Sequence, residues 1–354
     1  MEIAANFSMK LAVVGCVAVA MLAGEAQKPL IQLTLDTTEA EAALAIVAAH
    51  KAGKEVTQDE WQRLFRSEPY VRLKKREASL HRDFTDDDFK KFLLSADMAE
   101  KTQQLQLTLA EWKKVKLVAA GERILPYLPA EAHIRAKVYP VIKPVTNSFV
   151  FEVLTDPAIF FYIGTKGTRE EFENTAAHEL HHIGYSSIAP QTDALLKDLP
   201  PNVKPAVEWM GALGEGFAML AAAGSPDVDP HAFDTPENRA RWNHDLANFN
   251  PDLKRLEKFF LDIVEGRLQG EEAIRKEGFT FFGVQGPWYT VGYKMAVIIN
   301  KRYGRARLVQ CMTDPRKLLA TYNEAAAEHN SHGGEQLALW SPELLEKITA
   351  PPLH

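Results

Sequence analysis

Only two cysteines, Cys16 and Cys311, occur among the 354 residues. A cysteine nucleophile and a cysteine-built zinc site are therefore nearly excluded. If Cys16 leaves with an N-terminal leader, Cys311 is left alone and no intrachain disulfide can form. Its setting, Leu308-Val309-Gln310-Cys311-Met312, reads as core. Charge of one sign is also missing: 41 basic against 47 acidic residues give a formal net charge of −6, with no long basic stretch. That argues against nucleic acid as a partner. Lys113, Lys114 and Lys116 read as one solvated helix face. Internal repeats and low-complexity linkers are absent, so the chain is no solenoid and no disordered tether.

What is present is ordinary globular material, 46% hydrophobic and 25% charged. It is enough for one large domain or two modest ones. The start of the chain reads as an export signal. Lys10 supplies a positive charge, Leu11 to Leu22 form an apolar run, and Ala23-Gly24-Glu25-Ala26 offer small residues for cleavage near Ala26. The run is too short for a comfortable membrane span, so the mature chain is expected to be exported, to the periplasm or beyond, without a stable span. A rival reading makes Cys16 a lipoprotein anchor, but the apolar run ahead of it is short for that.

Helix caps organise the next hundred residues. Thr57-Gln58-Asp59-Glu60 is a capping box, Thr85 to Asp88 opens a second helix, and Thr108 to Glu111 is read as opening a third towards Ile124. Strand-forming residues then gather at 138–143, 148–154 and 158–163, divided by Pro140, Pro144, Asn147, Asp156-Pro157 and Gly164. The rest is predicted helical: 169–183, 206–223, 251–264 and 288–303, then helices behind Asp314-Pro315 and Ser341-Pro342. The fold class is α+β, predominantly helical, with a small sheet ahead of the helix that matters most.

Thr168-Arg169-Glu170-Glu171 caps that helix, and Gly184 is expected to stop it. It carries His178-Glu179-Leu180-His181-His182. Residues four apart share a helix face, so His178 and His182 can aim ring nitrogens at one point. Imidazole suits zinc, and one Zn2+ ion is the predicted cofactor. Glu179 lies beside such an ion and can take a proton from the attacking water and return it to a leaving amine. His181 is expected to pack beside the site or face solvent. A catalytic zinc needs a third protein ligand, for which Glu215 is the best candidate. It stands among Gly211, Gly214 and Gly216, glycines that imply close backbone approach, with the metal helix as the expected neighbour. Glu208 is the fallback, with His231 and His244 behind it. Tyr289 and Tyr293, four apart, are candidate donors to a developing oxyanion, with Tyr293 preferred.

The sequence thus resembles the gluzincin group of zinc metallopeptidases. The resemblance rests on His178-Glu179-Leu180-His181-His182 and on Gly214-Glu215-Gly216-Phe217-Ala218. Within that group it looks most like uncharacterised bacterial zinc-dependent peptidases that carry a Gly-Tyr-Lys-Met-Ala helix and a Tyr-Asn-x-Ala segment, here Gly292 to Ala296 and Tyr322 to Ala325. It covers roughly residues 135–330 and implies His178, His182 and Glu215 as ligands, Glu179 as general base, a peptide or protein substrate, and a zincin-like fold. The domain division that follows is 1–26 signal peptide, 27–134 helical N-terminal region, and 135–354 zincin-like metallopeptidase domain. No Gly-x-Met-Glu-Asn stretch precedes the metal helix, which favours endopeptidase over aminopeptidase action. Two alternatives stand beside hydrolysis of peptide bonds: a zinc-binding regulatory protein without turnover, and a hydrolase of non-peptide amides or esters.

Overall fold

The structure, a computed structural model, describes residues 30–349. The expected export signal, with Cys16 and the cleavage site near Ala26, lies outside the described residues. Among these, β1 (Ile31–Leu35) is followed by α1 (Thr38–Lys51), α2 (Gln58–Phe65), α3 (Glu68–Ser79), α4 (Asp86–Leu93), α5 (Ala96–Trp112) and α6 (Leu117–Ile124). Then come β2 (Ile134–Val141), β3 (Phe149–Phe151), β4 (Ala158–Tyr162) and α7 (Arg169–Ser186). The chain continues as α8 (Ala189–Leu196), α9 (Lys204–Met210), α10 (Gly214–Ala223), α11 (Pro236–Ala247), α12 (Phe249–Val264) and α13 (Glu271–Thr280). It closes with α14 (Pro287–Tyr303), α15 (Arg305–Met312), α16 (Pro315–Ser331) and α17 (Pro342–Thr349). The protein is α+β and predominantly helical, as expected. No described helix is long and apolar enough to cross a membrane.

The sheet has the order β1-β2-β4-β3. β1, β2 and β4 run parallel, and β3 returns antiparallel along β4, pairing Phe149 with Phe160. Both faces are buried along most of β4 and the second half of β2, whereas Gln32, Thr34 and Arg135 leave one face exposed at the β1 edge. Ile134, Ala136 and Val138 of β2 and Ile159 and Phe161 of β4 enter the main core. The alternate residues Tyr139, Val141, Ala158 and Phe160 pack with Leu73 of α3 on the other face. Arg72, also on α3, ties that helix to the β3–β4 hairpin through Glu152 (2.8 Å) and Asp156 (3.1 Å). All three expected strands are present. β1 was not anticipated, although Ile31, Leu33 and Leu35 alternate with Gln32 and Thr34.

Side-chain caps mark several helix starts. Thr57 and Thr168 form complete capping boxes with Glu60 and Glu171, and Thr85 accepts from the Asp88 N–H. Two sequence signals are overruled by packing. Thr108 does not open a helix: it is buried inside α5, which starts behind Ser95, and its methyl lies where a Cβ on Gly167 would come within 3.3 Å. Gly184 does not end α7, which runs on to Ser186. A Cβ there would stand 2.2 Å from Leu128, so this glycine serves interior packing. The segment read as one helix over 206–223 is α9, a 3₁₀ turn at Gly211–Leu213, and α10.

Three contacts fix the start of α7. The Trp112 indole donates to the Thr168 carbonyl at 3.1 Å, Trp112 stacks on Phe172 at 4.3 Å, and Phe172 meets Phe161 of β4 edge-on.

Of the described buried acids outside the group of His178, Glu179, His182 and Glu215, Glu39 is the most enclosed, at 0% exposure against 5–9% for Asp314, Glu257, Glu77 and Asp252. It lies on α1 and accepts the Ile142 N–H at 2.9 Å, while its other oxygen has no partner. Burial pushes its pKa from 4.5 up to about 8, against the pull of the Ile142 N–H. The folded state therefore favours the protonated acid. Its stabilising effect is complete below the ordinary carboxylate range and is lost as pH rises through about 8. Chemical denaturation across that window should show Glu39→Gln gaining stability relative to the parent as pH rises. A constant difference would remove Glu39 as the titrating group.

Candidate metal centre

Two helices bring three side chains together. His178 and His182 stand one turn apart on α7, and Glu215 lies in the first turn of α10. The Glu215 Oε2 is 3.2 Å from the Nε2 of each imidazole, and the two Nε2 atoms are 3.0 Å apart. Ligands held about 2.0–2.1 Å from a tetrahedral zinc stand about 3.3 Å apart, so the triangle has nearly the edges that the ion demands. His178 and Glu215 are buried and His182 is half-buried. No other group of three or more such residues, placed to hold a metal ion, occurs among the described residues.

The electrostatics fit a cation. Burial alone would raise the Glu215 pKa, but the two imidazoles hold the carboxyl far below its usual range. Burial opposes a charge on His182, yet Glu215 overrides it and carries the imidazole up to about 9. Two imidazole nitrogens and one carboxylate, largely withdrawn from water, form a donor set suited to zinc.

Glu179 is 2% exposed and stays off the triangle, with its Oε2 buried and unpartnered. Burial raises its pKa, and His178 and His182 pull the other way. His181 is turned into the core, where its Nε2 meets the Tyr127 carbonyl at 3.3 Å and burial lowers its pKa to about 3. It packs beside the site as a neutral ring.

The position of Glu215 depends on how closely α10 meets α14. A Cβ on Gly216 would stand 1.9 Å from the Tyr293 nitrogen, and one on Gly292 would stand 2.2 Å from the Leu213 carbonyl oxygen. Only glycine at both positions lets the two backbones touch. Gly216 thus faces α14, not the metal helix as expected from the sequence, and Gly211 and Gly214 have nothing within 4 Å of a built Cβ.

The sequence of one protein family, described as "Putative zinc dependent peptidase (DUF5700)", matches residues 33–331. The chain belongs to this family. No curated protein and no solved structure matches it. The family match takes in the N-terminal helices as well as the triangle, a wider span than the motifs alone cover. In this family member the other predicted site residues fall as follows. The Tyr289 ring lies nearly parallel to that of His178 at 6.3 Å, and burial first, then the charges of Glu215 and Glu179 and a hydrogen bond to Glu215, raise the pKa of its phenol well above 10. The Tyr293 hydroxyl reaches only the Val228 carbonyl, at 3.5 Å, and its ring packs on Trp242. Glu208 lies at the surface beside Lys204, and His244 is exposed. His231 is buried but bonds Asp234 at 2.6 Å, outside the triangle.

Replacing Gly292 with alanine should force α10 and α14 apart, cost about 1–3 kcal/mol of stability, and weaken zinc binding at least tenfold. Denaturant melts and a competition titration against a chelating dye check the pair. Unchanged zinc affinity would show that the helix contact does not set the third ligand.

Proposed function

We propose that this protein is a zinc peptidase of the gluzincin type, holding one Zn2+ through His178, His182 and Glu215. The observation that carries the reading is the triangle of 3.0, 3.2 and 3.2 Å with an acid beside it that is not part of it. A zinc ion there would act as a Lewis acid towards water and a peptide carbonyl.

The chain's own residues supply the rest. Glu179 is buried next to the ligands, and its raised pKa brings it closer to the neutral range where a base can both accept and release a proton. It takes the proton from the attacking water and delivers it to the leaving nitrogen. Tyr289 stays protonated throughout the neutral range and can donate its phenolic hydrogen to the carbonyl oxygen as charge develops there. Its place beside His178 supports it over Tyr293, whose hydroxyl is turned to Val228. Endopeptidase action is the favoured form, because Gly164-Thr165-Lys166-Gly167 leads into α7 where aminopeptidases of this type carry a Gly-x-Met-Glu-Asn stretch.

Glu179→Gln should keep one zinc per chain by metal analysis and lose about 10²–10⁴-fold in kcat/KM on a cleaved peptide. Undiminished cleavage would take Glu179 out of the mechanism. In a matched pair, Tyr289→Phe should lower kcat with little change in KM, whereas Tyr293→Phe should leave both nearly unchanged. Equal losses in the two would reject the assignment of the donor. A diverse peptide digest that yields no product from the zinc-loaded protein would favour a binding role instead.

A further inference from the structure

A second polar cluster lies away from the metal centre, just past the carboxyl ends of the parallel strands β2 and β4. Lys143 is 4% exposed there. Its ammonium group donates to the Val145 carbonyl and to Asn147 Oδ1, the latter at 2.5 Å. An ammonium has three N–H donors, and beyond these two acceptors it faces the rings of Phe149 and Tyr162, 5.5 and 5.9 Å from their centroids. The amide nitrogen of Asn147 is buried and unpartnered. Burial, with help from Arg76, lowers the Lys143 pKa to about 8, which leaves the amine mostly protonated at neutral pH.

A buried charge ordinarily has a counter-ion. Lys143 has no carboxylate within ion-pair distance among the described residues, and the nearby Glu77 is taken by Arg76 at 2.6 Å and Arg82 at 3.6 Å. Lys143 also lines a cavity of about 100 Å³. The cavity's walls include Met98, Leu105, Ile142 and Ile163, with Tyr162 at one side. The first turns of α5 border it, where Asp97 is already paired with Lys101 at 2.7 Å. In open sheets the carboxyl ends of parallel strands are a common place for ligands.

We propose that this cavity binds a small monocarboxylate, its carboxylate on Lys143 and its short apolar tail against Met98, Leu105 and Ile163. Charge decides the class. Lys101, Thr146 and Tyr162 are further donors on the lining, but Asp97 adds a negative charge. That charge opposes a multiply charged phosphate more than the single charge of a carboxylate of two to four carbons whose tail meets the aliphatic residues. The site is independent of the metal centre.

The test uses the full chain, titrated with sodium butyrate by calorimetry and followed by thermal melts, against sodium chloride and phosphate at equal ionic strength. Butyrate should bind saturably and raise Tm by about 3 °C at a hundredfold excess over its Kd, with chloride and phosphate giving no saturable response. Lys143→Met should abolish the butyrate shift. Leu105→Phe, which keeps the amine and fills the cavity, should abolish it as well and stands in if the first variant does not fold. The absence of saturable heat, an equal response to phosphate, or a butyrate shift that survives in either variant would overturn the proposal. The last result would place the carboxylate elsewhere, the metal centre included.

Discussion

The centre of this protein is organised by the contact of two helix backbones. Where Gly216 of α10 meets Gly292 of α14, no side chain separates the helices, and Glu215 is carried towards the imidazoles of α7. An alanine at either position would open the gap by roughly the thickness of a methyl group, which is large beside the 3.2 Å separations in the triangle. The same crossing sets Tyr289, one turn before Gly292, against His178. Ligand and phenol therefore share one positional constraint. The rest of the fold keeps α7 and α10 from adjusting independently.

The metal helix is anchored along its length. Trp112 and Phe172 hold its start against the N-terminal helices, and Leu128 fits the hollow left by Gly184 near its end. Between them Ala176, Ala177 and Leu180 are fully buried. Small side chains on that face bring the helix close to its neighbours, while the opposite turn presents the two histidines. Rigidity of this kind is what a metal site needs, because ligand geometry must be held before the ion arrives.

Local signals were legible in the sequence where the physics is local. The capping boxes at Thr57 and Thr168 mark their helix starts because each satisfies its own end groups. The four-residue spacing of His178 and His182 is a helix property, and the grouping of both with Glu215 followed from ligand chemistry. Signals that depend on partners were misread or missed. Thr108 and Gly184 carry the residue types of helix ends but were recruited by Gly167 and Leu128, which a sequence does not place nearby. Gly216 announced a close neighbour without saying which helix it was. β1 carries an alternating pattern only five residues long, and it is a strand because β2 lies alongside.

That pairing joins the first helical stretch to the site by main-chain bonds. Ile31 to Leu35 lie in register with Ile134 to Val138, and those residues of β2 form one side of the strand whose other side supports β4. A shortened protein beginning at β2 would retain every residue of the triangle and still expose a row of unsatisfied N–H and C=O groups on a central strand. Such an edge pairs readily with another chain. The whole chain ends that side of the sheet on β1, a strand of only five residues, so trimming to the motif-bearing portion would replace a short edge by the eight-residue edge of β2 and favour self-association.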